Sequence, residues 1–139
     1  MLFRSRVNVH DDSSIVVNVN PSTMTIDFIG LNQKYSPFDN LLVRKAFAES
    51  FDYDTYTQKV LNGFGKKLNG PIPEGLPGYN STRPYVQFNT TDAKALLAQA
   101  GYNSSHPLNV TIYYNGDNSA RQTACLLLKQ AIESYDPSY

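Results

Sequence analysis

The stretch SPFDNLLVRKAFAESFD, residues 36–52, decides how the middle of this 139-residue chain folds. Apolar residues recur along it at the three- and four-residue spacing of a helix, at Val43, Ala46, Phe47 and Phe51. Asp39, just after a proline, is suited to cap the start of that helix. The stretch therefore predicts a helix over 41–51 with one buried face.

Helix signals recur on the C-terminal side of this stretch. Asp52 is placed to cap a second helix over 53–62, which Gly63 would end in the left-handed conformation. A third helix follows Asn89, which has an acidic residue three positions later, and closes before Gly101. A fourth is predicted near 119–135, where a stripe of apolar residues shares one face: Ala124, Leu127, Leu128, Ala131 and Tyr135.

Strand patterns lie on both sides of these helices. The segments 13–19 and 24–31 are rich in β-branched and aromatic residues and are separated by a turn at 20–22. The segment 108–114 alternates apolar and polar residues, as a strand with one covered face does. We therefore predict an α/β lobe over 15–139, after an N-terminal extension or linker at 1–14. Its mixed sheet is expected to contain 24–31 and 108–114 and to be covered by the helices 41–51 and 119–135.

The loop FGKKLNGPIPEGLPGY, residues 64–79, joins the second and third predicted helices. Its prolines fix the backbone angle φ, and its glycines permit the bends between them. A rigid connector is preferred here over a ligand-binding loop, although loops carry function often enough to keep the second interpretation open.

Composition narrows the class of partner. The chain has 12 Lys and Arg residues and 12 Asp and Glu residues, so its formal net charge is zero. It therefore lacks the excess of positive charge that a nucleic-acid or anionic-membrane surface needs. The start of the chain has no apolar core of signal-peptide type, and no apolar run is long enough to span a bilayer. The single cysteine, Cys125, excludes an internal disulfide and leaves the redox compartment undecided. The chain has ten tyrosines, a residue type suited to the partly solvated surface of a cleft or an interface.

Residues that could carry catalysis or hold a metal are scarce. His10 and His106 are the only histidines, and neither has metal-ligand spacing. Cys125 lies beside a helical apolar stripe and is interpreted as a packing residue, and no glycine-rich phosphate cradle is present. No cofactor and no metal are expected, and an enzyme is the least favoured hypothesis. Four Asn-X-Ser/Thr triplets begin at Asn80, Asn89, Asn103 and Asn109; glycan attachment and chance occurrence both remain open for them.

The order of the motifs resembles one family. The runs at 28–52, 60–79 and 92–102 are similar to those of the extracellular solute-binding proteins of ABC importers, in the peptide and nickel group called family five. These runs include P-F-D at a helix start, V-R-x-A on that helix, the loop G-P-I-P-x-G-x-P-G-Y, and the helix A-K-x-L-L-x-x-A-G-Y. The chain departs at 50–54, where members usually read A-I-D-R, a change interpreted as one of packing. The resemblance implies part of one lobe of a periplasmic-binding-protein-like fold of type II, cluster C.

The resemblance also implies where a ligand would lie. The strand before the P-F-D helix would line a side-chain pocket with Phe28, Gly30 and Asn32, while Asp27 and Ile29 face the other way. The strand before the last helix would end at the same cleft with Asn115, followed by Ala120 and Arg121 near the helix start. Purely structural interpretations remain at two of these positions, because Asn115 and Gly116 form a turn dipeptide and Gly30 suits a bulge.

The function implied is recognition of a peptide or similar small solute and its delivery to the permease subunits of an ABC transporter. The parent would work outside the cell or in the periplasm as a membrane-anchored lipoprotein, and this chain would be a piece of it. Alone, the chain is expected to bind peptide weakly and to form a homodimer through the exposed face that contains Phe28 and Asn115. The alternative is a stand-alone protein-interaction module without a transport role. The flanking gene sequence would discriminate between the two.

Overall fold

The computed structural model describes residues 24–139, and its regular structure is helical. Helix α1 spans Leu41–Ser50, the short helix α2 spans Tyr53–Thr55, and a π-helical turn continues it over Tyr56–Val60. Helix α3 spans Thr90–Gln99, and helix α4 spans Ser119–Glu133. The four helical regions predicted from the sequence are thus confirmed. The second of them is one α-turn followed by one wide turn rather than a uniform helix.

Caps explain where the helices begin and end. Asn89 and Asp52 cap their helices as predicted, each accepting a backbone N–H three residues ahead through its side-chain oxygen. Gly101 has φ +95°, the left-handed conformation expected after a helix. The prediction of Asp39 as the cap of α1 was wrong. Asn40, which directly precedes the helix in an extended conformation, accepts from the N–H of Leu42 at 2.9 Å.

The core lies where α1 meets α3 and α4. Val43, Ala46 and Phe47 form the predicted buried face of α1, and the ring of Phe47 meets Phe38 edge-on at 4.9 Å. Opposite them lie the buried residues of the other two helices: Ala93, Leu97, Ala124, Leu128 and Ile132. Apolar side chains on three helices thus share a single buried cluster.

One buried polar link joins the C-terminal ends of α1 and α4. The hydroxyl of Tyr135 donates to Ser50 Oγ at 2.9 Å, and Ser50 Oγ donates in turn to the carbonyl of Ala46 at 2.6 Å. Because both hydroxyls are satisfied, their burial carries no desolvation penalty from a missing partner.

The mixed sheet predicted from the sequence is not found among residues 24–139. The segments 24–31 and 108–114 have no strand structure there, and the one β-bridge pairs Asn103 with His106 inside a turn. The apolar and polar residues of 108–112 nevertheless differ in burial, as their alternation predicts. Leu108 is 3% exposed, and Val110 and Ile112 pack on the core. Asn109 and Thr111 are exposed. Alternation reports a covered face, whereas a strand also needs a hydrogen-bonded neighbour. The strand predicted at 13–19 lies outside the described residues.

The proline-rich loop is anchored at its base. Asn69, which is buried, donates from Nδ2 to the carbonyls of Asn80 and Arg83 at 2.9 and 3.0 Å. The ammonium of Lys67 lies 4.7 Å from the ring centre of Tyr53, so it stacks on the first residue of α2. Gly75 and Gly78, with φ of +93° and +90°, make the bends that a residue with a Cβ would resist.

Candidate functional site

A polar cluster connects the start of α4 with the segment before α1. The Arg121 guanidinium donates from Nε and Nη2 to Asp27 Oδ1 at 3.2 and 3.0 Å, and from Nη1 to Asn115 Oδ1 at 2.8 Å. The Asn115 amide also donates to Asp117. Asp27, Asn115, Asp117 and Arg121 are called the Arg121 cluster below.

The local sequence at 115–121 presents these side chains together. The N–H of Asn118 donates to the carbonyl of Asn115 at 3.2 Å, which closes a turn. The side chain of Asn118 then caps α4 by accepting from the N–H of Arg121 at 3.0 Å. This cap places Arg121 in the first turn of α4, close to the turn that carries Asn115.

The structure brings some of the predicted site residues together and leaves others apart. Asn115 and Arg121 are in direct contact, and Ala120 is half-buried beside Arg121. Phe28 is 82% exposed, and a Cβ on the exposed Gly30 would lie 3.7 Å from the Phe28 ring. Asn32 is held in a turn, where its Oδ1 accepts from the N–H of Lys34 at 3.1 Å.

Sequence reasoning missed two members of the cluster. Asp27 was expected to face away from the cleft lined by Phe28, yet it is Asp27 that contacts Arg121. Asp117, which accepts from the Asn115 amide, was not among the predicted site residues. Nothing in the sequence links positions 27 and 121 except the opposite charges of the two side chains.

The cluster acts electrostatically on a buried neighbour. Burial, and after it the negative charge of Asp27, raises the pKa of the Tyr56 phenol, while the Arg121 guanidinium acts in the opposite direction. Burial also raises the pKa of the half-buried Cys125 thiol, which agrees with a packing role rather than a reactive thiolate. The arrangement can hold a polar ligand by hydrogen bonds, and it has no nucleophile paired with a base.

A separate cavity of about 460 Å³ lies between α1 and the segment before α3. Its lining consists of Glu49, Pro84, Tyr85, Val86, Gln87, Asn89 and Asp92. None of the predicted site residues lines it. Glu49 Oε2 is buried without a hydrogen-bond partner, and burial, followed by the nearby Asp92, raises the pKa of this carboxyl against the opposing effect of Lys45.

No three His, Cys, Asp or Glu side chains in residues 24–139 are grouped closely enough to hold a metal ion. His106 stacks on Tyr102 with ring centres 5.3 Å apart. None of the helices described is long and apolar enough to cross a membrane.

Comparison with known families gives one match that spans most of the chain. Residues 4–134 match the sequence model of the bacterial extracellular solute-binding proteins, family 5, middle region.

Individual relatives agree with that match. A periplasmic oligopeptide-binding protein of Haemophilus influenzae is 39% identical over 103 residues, covering 68% of this chain and 18% of its own length. A probable D,D-dipeptide-binding periplasmic protein of Escherichia coli is 31% identical over 96 residues, covering 69% of this chain and 18% of its own length. A di/tripeptide-binding protein of Pseudomonas aeruginosa is 32% identical over 103 residues, covering 72% of this chain and 19% of its own length. The chain thus spans about a fifth of the length of these curated relatives.

Proposed function

Because this chain belongs to the bacterial extracellular solute-binding proteins of family 5, we propose that it forms part of one lobe of a receptor that binds a peptide and delivers it to an ABC transporter. The observation that carries the proposal is the match over residues 4–134 together with relatives named as peptide-binding proteins. The family has a periplasmic-binding-protein-like fold, and its members are binding proteins rather than enzymes. This favours a receptor over a stand-alone interaction module.

The Arg121 cluster is our candidate for the polar part of the ligand-facing wall. Its groups are exposed enough to meet a ligand: the side chain of Arg121 is 46% exposed and that of Asp27 is 23% exposed. Phe28 next to Asp27 and Tyr113 near Asn115 are 82% and 90% exposed, so aromatic rings flank the polar groups in the sequence. Hydrogen bonds beside aromatic surfaces suit an extended peptide with tolerant side-chain pockets.

The working location, the anchor and the transporter contact belong to the same proposal. Two of the relatives are named as periplasmic, so we infer that the receptor acts outside the cytoplasmic membrane, held there by a lipid anchor. Closure of two lobes over the peptide would signal occupancy to the permease subunits. In the absence of a second wall, the face that carries Phe28 and Asn115 would pair with a second copy of the chain.

Protein-observed NMR with a mixture of di- to pentapeptides tests the wall directly. A single wall buries far less of a ligand than the 70–90% typical of a complete pocket, so we expect binding by this chain at about millimolar peptide. The amide signals of Phe28, Asn115 and Arg121 should shift with peptide concentration, and Arg121→Ala should abolish the shift at Asn115. Lys94→Ala, on the exposed side of α3, is the matched control and should leave the titration unchanged.

Two results would contradict the proposal. Shifts confined to the cavity residues Tyr85, Val86 and Gln87 would place the ligand elsewhere. Saturable micromolar binding to one site in titration calorimetry would show that this chain is a complete binding module rather than one wall.

A further inference from the structure

Of the four Asn-X-Ser/Thr triplets in the chain, the proposed function uses none. The structure distinguishes three of them, at Asn80, Asn89 and Asn103, by the hydrogen bonds that each asparagine amide already makes. An acceptor for N-linked glycan must offer its amide nitrogen to an enzyme from an accessible surface loop. The useful comparison is therefore between side chains whose Nδ2 is available and those whose Nδ2 is engaged.

Asn80 is presented in a form that suits an acceptor. Residues 80–82 are all exposed, and the amide oxygen of Asn80 accepts from both the N–H and the hydroxyl of Thr82, at 2.9 and 2.8 Å. Its Nδ2 donates no hydrogen bond among residues 24–139. A hydroxyl that donates to the amide oxygen draws electron density towards that oxygen and makes the Nδ2 proton easier to remove.

The backbone at Asn80 is also held by a hydrogen bond from a buried side chain. Its carbonyl accepts from Nδ2 of the buried Asn69 at 2.9 Å. The backbone of the triplet is therefore anchored while its side chains are exposed. An acceptor held in this way offers Nδ2 without unfolding the loop.

Asn89 is the contrasting case. Its Oδ1 accepts from the N–H of Asp92 at 3.1 Å, and its Nδ2 donates to Asp92 Oδ2 at 3.1 Å. Oδ1 therefore caps α3, and Nδ2 is already engaged by the Asp92 carboxylate when a transferase approaches it. Asn103 is intermediate, because its Oδ1 accepts from the N–H groups of Ser105 and His106 rather than from the hydroxyl of its own triplet.

We propose that Asn80 is an N-glycan acceptor of this protein and that Asn89 is not. In the transfer, Nδ2 of Asn80 attacks the anomeric carbon of a lipid-phosphate-linked oligosaccharide, and the bond from that carbon to the lipid phosphate breaks. The lipid phosphate leaves, the Nδ2 proton passes to a base of the transferase, and no redox step occurs. The proposal rests on the proposed function only in that both place the chain outside the cytoplasm.

In-vitro transfer onto the purified, folded chain tests the proposal without requiring export or peptide binding, so its failure is separate from failure of the proposed function. The probes are an oligosaccharyltransferase and a lipid-linked oligosaccharide, with peptide mass spectrometry as the readout. Synthetic peptides covering 76–86 and 85–95 serve as unfolded references. In the peptides both asparagines should be modified, whereas in the folded chain Asn80 should be modified and Asn89 should not.

Variants of the hydroxyl residue supply matched controls. Thr82→Ala should abolish modification of Asn80 while keeping the asparagine, and Thr82→Ser should restore it. Thr91→Ala, the same change in the Asn89 triplet, should alter nothing in the folded chain. Occupancy of Asn89 equal to that of Asn80, or a folded chain with Asn80 unmodified while the 76–86 peptide is modified, would overturn the proposal.

Discussion

At the scale of single residues, Glu49 combines a buried carboxylate oxygen with a shifted pKa. Its carboxylate extends from α1 towards Asp92 at the start of α3, and Oε2 is buried without a hydrogen-bond partner. Burial raises the pKa of Glu49 above its ordinary value of 4.5, and Asp92 adds to the rise. An acid whose pKa is raised on folding holds its proton more tightly in the folded state than in the unfolded state. Stability from this group is therefore present below pH 4.5 and is lost as pH rises through the folded pKa.

We predict that Glu49→Gln raises the free energy of unfolding at neutral pH, because it removes a poorly solvated charge beside Asp92. The gain should shrink as the pH falls below the ordinary pKa of glutamate, where Glu49 is protonated in both states. Urea unfolding across that pH range measures the difference. Glu74→Gln, a change at an exposed glutamate 3.8 Å from Lys66, is the control and should have little effect at any pH. A gain that is equal at all pH values would show that charge is not the cause.

Phe47 carries the second prediction at this scale. It is 5% exposed and lies in the cluster shared by α1, α3 and α4. We expect Phe47→Ala to lower the free energy of unfolding by about 3 to 5 kcal/mol, the usual cost of deleting a buried ring. Leu41→Ala, at a residue of the same helix that is 53% exposed, should cost much less. Equal denaturation midpoints for the two variants would contradict the packing described.

At the scale of elements, capping residues determine where the helices begin, and buried apolar faces determine how they pack. Asn40, Asn89 and Asn118 each cap a helix by accepting a backbone N–H, and asparagine is among the best residues for this task. The segment 53–60 changes from an α-helical to a π-helical turn along its length. A cap at Asp52 starts an α-helical turn, and the chain then widens so that the N–H of Leu61 reaches the carbonyl of Tyr56 at 3.0 Å. Wide turns of this kind are short insertions in helices.

The cap of α3 gives a prediction for a single element. Asn89→Ala removes both side-chain bonds to Asp92 and should cost about 0.5 to 2 kcal/mol of stability. Asn89→Asp keeps an acceptor for the N–H of Asp92 but places a second carboxylate beside that of Asp92, so it should recover only part of the loss. Thr90→Ala is the neighbouring control, at an exposed position. Chemical denaturation measures all three, and an Asn89→Ala variant as stable as Thr90→Ala would rule out the cap as a contributor.

At the scale of the whole molecule, one ion pair joins two distant parts of the chain. Asp27 and Arg121 are separated by 94 positions, and the pair fixes the segment before α1 against the start of α4. Both side chains are partly solvated, so the pair is weak by itself, although Asn115 extends it into a small network.

A double-mutant cycle with Asp27→Asn and Arg121→Gln measures this link. We expect a coupling energy of about 0.2 to 1 kcal/mol at low salt, falling as salt screens the pair. Hydrogen exchange of the amides of residues 26–30 should speed up in either single variant, since the ion pair holds that segment. Lys129→Gln, which breaks the exposed pair with Glu133 at 3.4 Å within α4, is the control and should leave that exchange unchanged. Additive single-variant effects would mean that the contact does not couple the two regions.

The sequence by itself determined the four helical regions, most of their caps and the buried face of α1. These features depend on residues within one or two turns of each other, as with Asn89 and Asp92 or with Val43 and Phe47. It also predicted the covered face of 108–112, where Leu108, Val110 and Ile112 pack on the core. Tyr114, predicted on the same face, is 44% exposed. Membership of the family was readable too, because its motifs are local and occur in a fixed order.

Only the tertiary structure decided which segments meet. It paired Asp27 with Arg121, gave the cap of α1 to Asn40, and left 24–31 and 108–114 without a strand ladder among the described residues. The physical reason is that alternation and opposite charge are properties of one segment or one residue. A strand ladder or an ion pair also needs a second segment or residue. Which one it meets depends on how the fold brings distant parts of the chain together. Asn115 and Arg121 therefore stay site residues predicted from the sequence, whereas the contact of Arg121 with Asp27 could not be predicted from it.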